Sequence, residues 1–269
     1  MGSSPSSHRS PWVFFALVFV VAIPFWILGA LTDQGLLTGL GIHLPFSALT
    51  FLSPAIAALI LVYREEKLAG VGQFLRNVFD PRRVRPRLWY APIFLLLPAL
   101  YLLSYGVMRL MEIPLPQPQL APVTLLILFV IFFVSAACEE TGWTGYAIDP
   151  LQARRSALGA ALILGVVWSV VHIVPDIQGH QTWGWIAGQR LFTVVLRILI
   201  VWLYNNAAKS VIAAIIAHTM DNVSVFALFP DNGDGHYIPA ITAAITAIAA
   251  IVVTFLWRPR TLARFRFAR

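Results

Sequence analysis

With one cysteine, Cys138, in 269 residues, an internal disulfide is excluded and the redox compartment stays open. Charge is scarce too: Asp, Glu, Lys and Arg make up 12% of the chain, against roughly 25% in an ordinary soluble domain. No polar linker long enough to separate two domains occurs, and no internal repeat is visible, so one bundle is expected rather than several domains. HExxH, GxSxG and Walker patterns are absent, which removes the main soluble-hydrolase and NTPase alternatives. What is abundant is apolar. Hydrophobic residues reach 59% and the mean hydropathy is +0.78, which predicts an all-α, polytopic membrane bundle whose first partner is the lipid bilayer. The formal charge of +7 does not point to nucleic acid, because the basic residues are interleaved with apolar runs rather than gathered on a polar domain.

Eight spans are expected, over residues 11–31, 45–63, 88–111, 123–146, 156–175, 190–204, 209–229 and 237–257. Residues 1–10 form a polar, disordered tail, 11–257 the membrane domain and 258–269 a basic tail. The first span is longer than a signal-peptide core and lacks a small-residue cleavage site, so it reads as an anchor. Between the second and third spans, Leu68, Val71, Phe74, Leu75, Val78 and Phe79 recur at helical intervals and precede PRRVRPR. That is either an amphipathic helix lying on anionic headgroups or an ordinary basic loop. Trp183 and Trp185, in the loop 176–188, read as an interfacial aromatic belt. The small-residue run ITAAITAIAA in the eighth span predicts close helix packing.

Eight spans put both termini on one side. Alternate loops and tails on that side collect 16 of the 19 Lys and Arg, whereas Arg109, Arg190 and Arg197 lie within or at the start of spans. The positive-inside rule then makes both termini cytoplasmic, and the short loops favour a bacterial inner membrane.

Within these spans the only acids are Glu139, Glu140 and Asp221, and the only histidines His172 and His218. Intramembrane ionisable groups are costly unless partnered, so they mark a functional site. Trp168 and His172 are four residues apart and share a helix face, as do His218 and Asn222. Asp221, three residues after His218, is an alternative partner to Asn222. Such a set supports hydrolysis, with a carboxylate as general base on water and a His and an amide donating to an oxyanion. It equally supports a zinc site held by His172, His218 and Glu139 with a position open for water. Adjacent on a helix, Glu139 and Glu140 point about 100° apart and cannot both address one atom, so Glu139 reads as base and Glu140 as support or substrate contact. Cys138 reads as a small buried thiol.

Three motifs on successive helices, Glu139-Glu140-x-x-x-Thr144, Trp168-x-x-x-His172 and His218-x-x-x-Asn222, resemble the CPBP or Abi family of intramembrane proteases, which includes the type II CAAX prenyl endopeptidases. The family pattern is EExxxR, F/WxxxH and HxxxN/D, and EETGWTGY is similar to its EExGWRGY form; the likeness covers about residues 125–225. The resemblance implies that Glu139 and His172 activate water, that Glu140 supports or contacts substrate, and that His218 and Asn222 hold the oxyanion. It implies a peptide or prenylated protein substrate, reached from the cytoplasmic side or laterally, and leaves both the metal and the oligomeric state open. One position departs, since Thr144 stands where the family has Arg, and Arg197 could bring that charge from another helix. Two rival readings remain: a proton-coupled transporter using the same Glu and His residues, and a catalytically weak scaffold or immunity factor. With straight helices, Glu139 lies about 10 Å from the cytoplasmic edge, His218 about 14 Å and His172 about 24 Å, a spread too wide for one site.

Overall fold

The computed structural model describes residues 9–34 and 46–263. The disordered tail expected over 1–10 lies almost wholly outside the described residues, as do the last six residues of the basic tail. Among the described residues there is no strand, and eight helices are long and apolar enough to cross a membrane.

In chain order the helices are α1 (Pro11–Asp33), α2 (Ser53–Val78), α3 (Tyr90–Leu110), α4 (Pro122–Gly142), α5 (Ile148–Gln152), α6 (Ala157–Val171), α7 (Ile173–Gln178), α8 (Trp183–Asn206), α9 (Val211–Leu228), α10 (Asp231–Asp234) and α11 (Pro239–Trp257). Four of them, α1, α2, α4 and α11, carry a proline in the first two positions, where its missing N–H costs nothing. Two others are capped by hydroxyls: Ser156 accepts the Gly159 N–H at the start of α6, and Thr182 accepts that of Trp185 at the start of α8.

Several spans run longer than the hydropathy pattern suggests. The second continues without a loop to Val78, bent at Lys67 (φ 59°, ψ −164°), so the amphipathic stretch is an extension of α2 and turns Phe74 and Val78 into the core. The sixth begins at Trp183, so Trp183 and Trp185 belong to the first turn of α8 and not to a loop. The longer helices take in further acids, Glu65, Glu66, Asp149 and Asp176, that shorter spans had left outside.

The fourth span departs most. α4 passes into a π-helical segment, Trp143–Ala147, and on through α5 to Gln152, giving 31 continuous residues. Its first half is exposed on one side, at Val123, Leu126, Val130 and Val134, while nearly everything from Ala136 to Leu151 is buried. Glu139 and Glu140 therefore sit in mid-span where the helix enters the bundle. Glu139 is 13 residues from Gln152, about 20 Å along the axis, which removes most of its apparent disagreement in depth with His172. At the other end of the comparison, the α8–α9 turn is roofed by the chain after α11. Asn205 and Asn206 donate to the Thr261 and Leu262 carbonyls, so the start of α9 is not the edge of the molecule.

The innermost helices are α8 and α9, each with 72% of its apolar window buried, against 28% for α1 and α11. α8 packs chiefly on α6 and α11, and α9 on α3 and α4. The expected small-residue packing is present: Thr242, Ala243, Thr246 and Ala250 of α11 are buried on the side facing α8. Two glycines bring the functional helices together. A Cβ on Gly142 would run into the Pro54 carbonyl of α2, and one on Gly165 would lie 3.1 Å from the Arg197 Cβ of α8. Gly142→Ala is expected to push α4 away from α2 at an overpacking cost of about 1–3 kcal/mol. A lowered thermal midpoint with reduced turnover is the expected readout; an unshifted midpoint would mean that α2 yields freely.

Candidate active site

The two neighbouring glutamates occupy different surroundings because their side chains leave the helix in different directions. Glu139 is 4% exposed. Its Oε2 accepts the indole N–H of Trp168 at 2.6 Å and, more weakly, that of Trp143 at 3.4 Å. Trp143 is in turn fixed edge-on by Phe14 of α1. Across from the same oxygen stands Nε2 of His172, 3.9 Å away. His172 sits at the break between α6 and α7, and its Nδ1 lies 2.9 Å from the Trp168 carbonyl. A carbonyl only accepts, so Nδ1 carries a hydrogen, and Nε2 is the nitrogen that faces Glu139.

Glu140 is wholly buried and wholly engaged. Arg197 of α8 donates to both oxygens, at 2.8 and 2.9 Å, in the bidentate fork that suits a guanidinium to a carboxylate. The Thr144 hydroxyl donates to Oε2, and Nδ1 of His218 lies 3.0 Å from Oε1. Arg197 also lies flat over the Trp168 ring, 4.1 Å from its centroid. One cation thus holds Glu140 directly and backs the tryptophan that holds Glu139. The cation missing at Thr144 is delivered to Glu140 from α8 instead, with Thr144 itself filling the remaining acceptor site.

Glu139, Trp168, His172, His218 and Asn222 line one cavity of about 100 Å³. Glu140, Thr144 and Arg197 lie behind it and do not line it. α8 borders the cavity too, supplying Gln189, Arg190, Phe192, Thr193 and Leu196. Asp221 lines it as well. Gln189 and Thr193 carried no sequence signal, being ordinary polar residues in an apolar run. Arg190 did, as a basic residue at the start of a span, and its partner Asp176, 2.9 Å away, was hidden by a span end set too early.

Nδ1 of His218 faces Glu140 and Nδ1 of His172 a backbone carbonyl, which leaves Nε2 of each ring for other partners. Among the described residues no group of three His, Cys, Asp or Glu side chains is placed to hold a metal ion. Cys138, half-buried beside Glu139, has no disulfide partner.

Comparison with known proteins agrees with the motifs. Residues 121–224 match the family profile described as type II CAAX prenyl endopeptidase Rce1-like. Over 245 residues the chain is 29% identical to CAAX prenyl protease 2 of Methanococcus maripaludis, covering 81% of this chain and 85% of that protein. The matched segment begins at α4 and ends within α9, and so contains the whole cavity apart from its supports on α1, α2, α3 and α11. Motif order, matched segment and relative agree in what this chain is similar to, the Rce1-like type II CAAX prenyl endopeptidases.

Proposed function

We propose that this protein is an intramembrane endopeptidase that hydrolyses a peptide bond near the C-terminus of a membrane-associated, prenylated substrate, with both its termini cytoplasmic. The observation that carries the reading is the pairing of Glu139 Oε2 with His172 Nε2 at 3.9 Å inside a cavity also lined by His218 and Asn222. That gap is too long for a direct hydrogen bond and suits a water held between the two groups.

In this reading Glu139 takes a proton from the water while its oxygen adds to the scissile carbonyl, with His172 Nε2 accepting the second O–H. The carbonyl oxygen becomes an oxyanion, received by Nε2 of His218 and the amide of Asn222. Collapse breaks the C–N bond, and the proton on Glu139 passes to the departing nitrogen, so Glu139 ends as it began. Trp168 and Trp143 hold the base in place. Arg197, Thr144 and Glu140 act through others: they set the ring of His218 and the plane of Trp168. No step is routed through a metal.

The membrane setting suits such a substrate. A prenyl chain stays in hydrocarbon while the attached peptide reaches a polar cavity in mid-bundle, which a freely soluble peptide would have to leave water to enter. The test is cleavage by purified protein in liposomes, read by mass spectrometry, with prenylated and unprenylated C-terminal peptides and with and without a chelator. Release of the C-terminal fragment from the prenylated peptide alone is expected. No release from either peptide by well-folded protein would move the assignment to a scaffold role, and proton-linked flux without cleavage would move it to a transporter.

A further inference from the structure

Asp221 is the one acid of the cavity that the proposed reaction leaves idle. It is 6% exposed, lines the same cavity as Glu139, His172 and His218, and its Oδ1 has no hydrogen-bond partner. Its titratable neighbours are His218 on its own helix, Glu139 of α4, Tyr101 of α3 and Tyr237 just before α11. None of these is a free cation. The positive groups nearby are already matched: Arg197 gives both terminal nitrogens to Glu140, His218 gives Nδ1 to the same carboxylate, and Arg190 is paired with Asp176. The Tyr101 hydroxyl and His218 lie close to this carboxylate, yet its buried Oδ1 is left without a hydrogen bond, a destabilising feature that a fold keeps for a ligand. A second acceptor points the same way, since Gln189 on α8 lines the cavity and its buried Oε1 is also without a partner. Two unpaired acceptors on facing helices describe a place for N–H groups of a peptide.

We infer that Asp221 receives the nitrogen of the scissile amide, accepting its N–H in the bound peptide and pairing with the ammonium of the fragment released. The inference rests on the hydrolytic reading and deepens it. When the C–N bond breaks, its electron pair stays on nitrogen, the proton held by Glu139 completes an amine, and a further proton from water makes it an ammonium near neutral pH. That ammonium supplies the positive charge that Asp221 lacks. Asn222 and His218 then address the carbonyl side of the bond and Asp221, on the same helix turn, the nitrogen side.

The test is a binding measurement on the full-length protein in detergent, with the tripeptide Val-Ile-Ser carrying either a free or an acetylated N-terminus. The wild type is expected to bind the free amine about tenfold or more tightly than the acetylated form. Glu139→Gln should keep that preference, and Asp221→Asn should reduce it to about twofold or less while leaving the acetylated peptide's affinity nearly unchanged. Asp221→Ser serves as a second variant should the Asn protein fold poorly. Equal binding of both peptides by the wild type, no binding of either, or a preference kept in both Asp221 variants overturns the assignment. Cleavage of the prenylated peptide by the same preparation separates the two levels. Protein that cuts without discriminating defeats only the role of Asp221, and protein that discriminates without cutting defeats only the hydrolytic reading.

Discussion

Glu139→Gln is expected to lower kcat/KM for a prenylated peptide by about 10²–10⁴-fold, the range that a positioned general base contributes. The change keeps the shape of the side chain and one oxygen to accept the Trp168 N–H, now at 2.6 Å, so the thermal midpoint should hardly move. That combination separates a lost base from a lost fold. Trp168→Phe offers a graded comparison: it keeps a ring beneath Arg197 but removes the stronger of the two indole donors to Glu139. Its turnover should fall between wild type and Glu139→Gln, because the carboxylate survives without its orientation. Liposome assays at saturating and limiting peptide distinguish the two, since a mispositioned base lowers kcat while leaving KM close to wild type. Undiminished activity in Glu139→Gln would place the base elsewhere in the cavity.

Arg197→Gln carries the second large effect, and here stability moves as well as rate. The guanidinium is 0% exposed and satisfies both oxygens of an equally buried Glu140. Breaking such a pair from one side leaves an uncompensated charge and costs about 3–5 kcal/mol. Removing both charges together in Arg197→Gln/Glu140→Gln should cost less than the sum of the two single changes, a coupling of the sign expected for groups in contact. The position of Thr144 sharpens the test. Its hydroxyl bonds Glu140 and lies 3.5 Å from Arg197 Nη1, so the two positions share one site for positive charge. Thr144→Arg in the Arg197→Gln background should recover part of both stability and turnover, whereas Thr144→Arg alone crowds two cations and should weaken the protein. Thermal unfolding in detergent and liposome cleavage read both quantities. Additive single effects with no rescue would mean that Arg197 acts through bulk packing and not through Glu140.

The motifs were legible because polar residues in an apolar helix stand out and helical spacing says which share a face. Trp168 with His172 and His218 with Asn222 could be paired on that basis alone. Depth along the membrane was not legible. Hydropathy falls where polar residues begin, so it ended the fourth span at 146, whereas the helix passes through a π turn and stays buried to Leu151. The same rule truncated the second span before Glu65 and Glu66, began the sixth seven residues late, and ended the fifth at 175, which hid Asp176 as the partner of Arg190.

By itself the sequence determined the class of protein, an all-helical membrane bundle, and the small set of groups able to do chemistry in it, because both follow from composition and from local periodicity. Which glutamate meets which partner was decided only by the tertiary structure. Adjacent side chains differ by about 100° around one helix, and that rotation has meaning only once α6, α8 and α9 are packed against it. Packing sends Glu139 to Trp168 and His172, and Glu140 to Arg197 and His218, 57 and 78 residues away. A cation that local sequence places on no motif thereby becomes the support of the site.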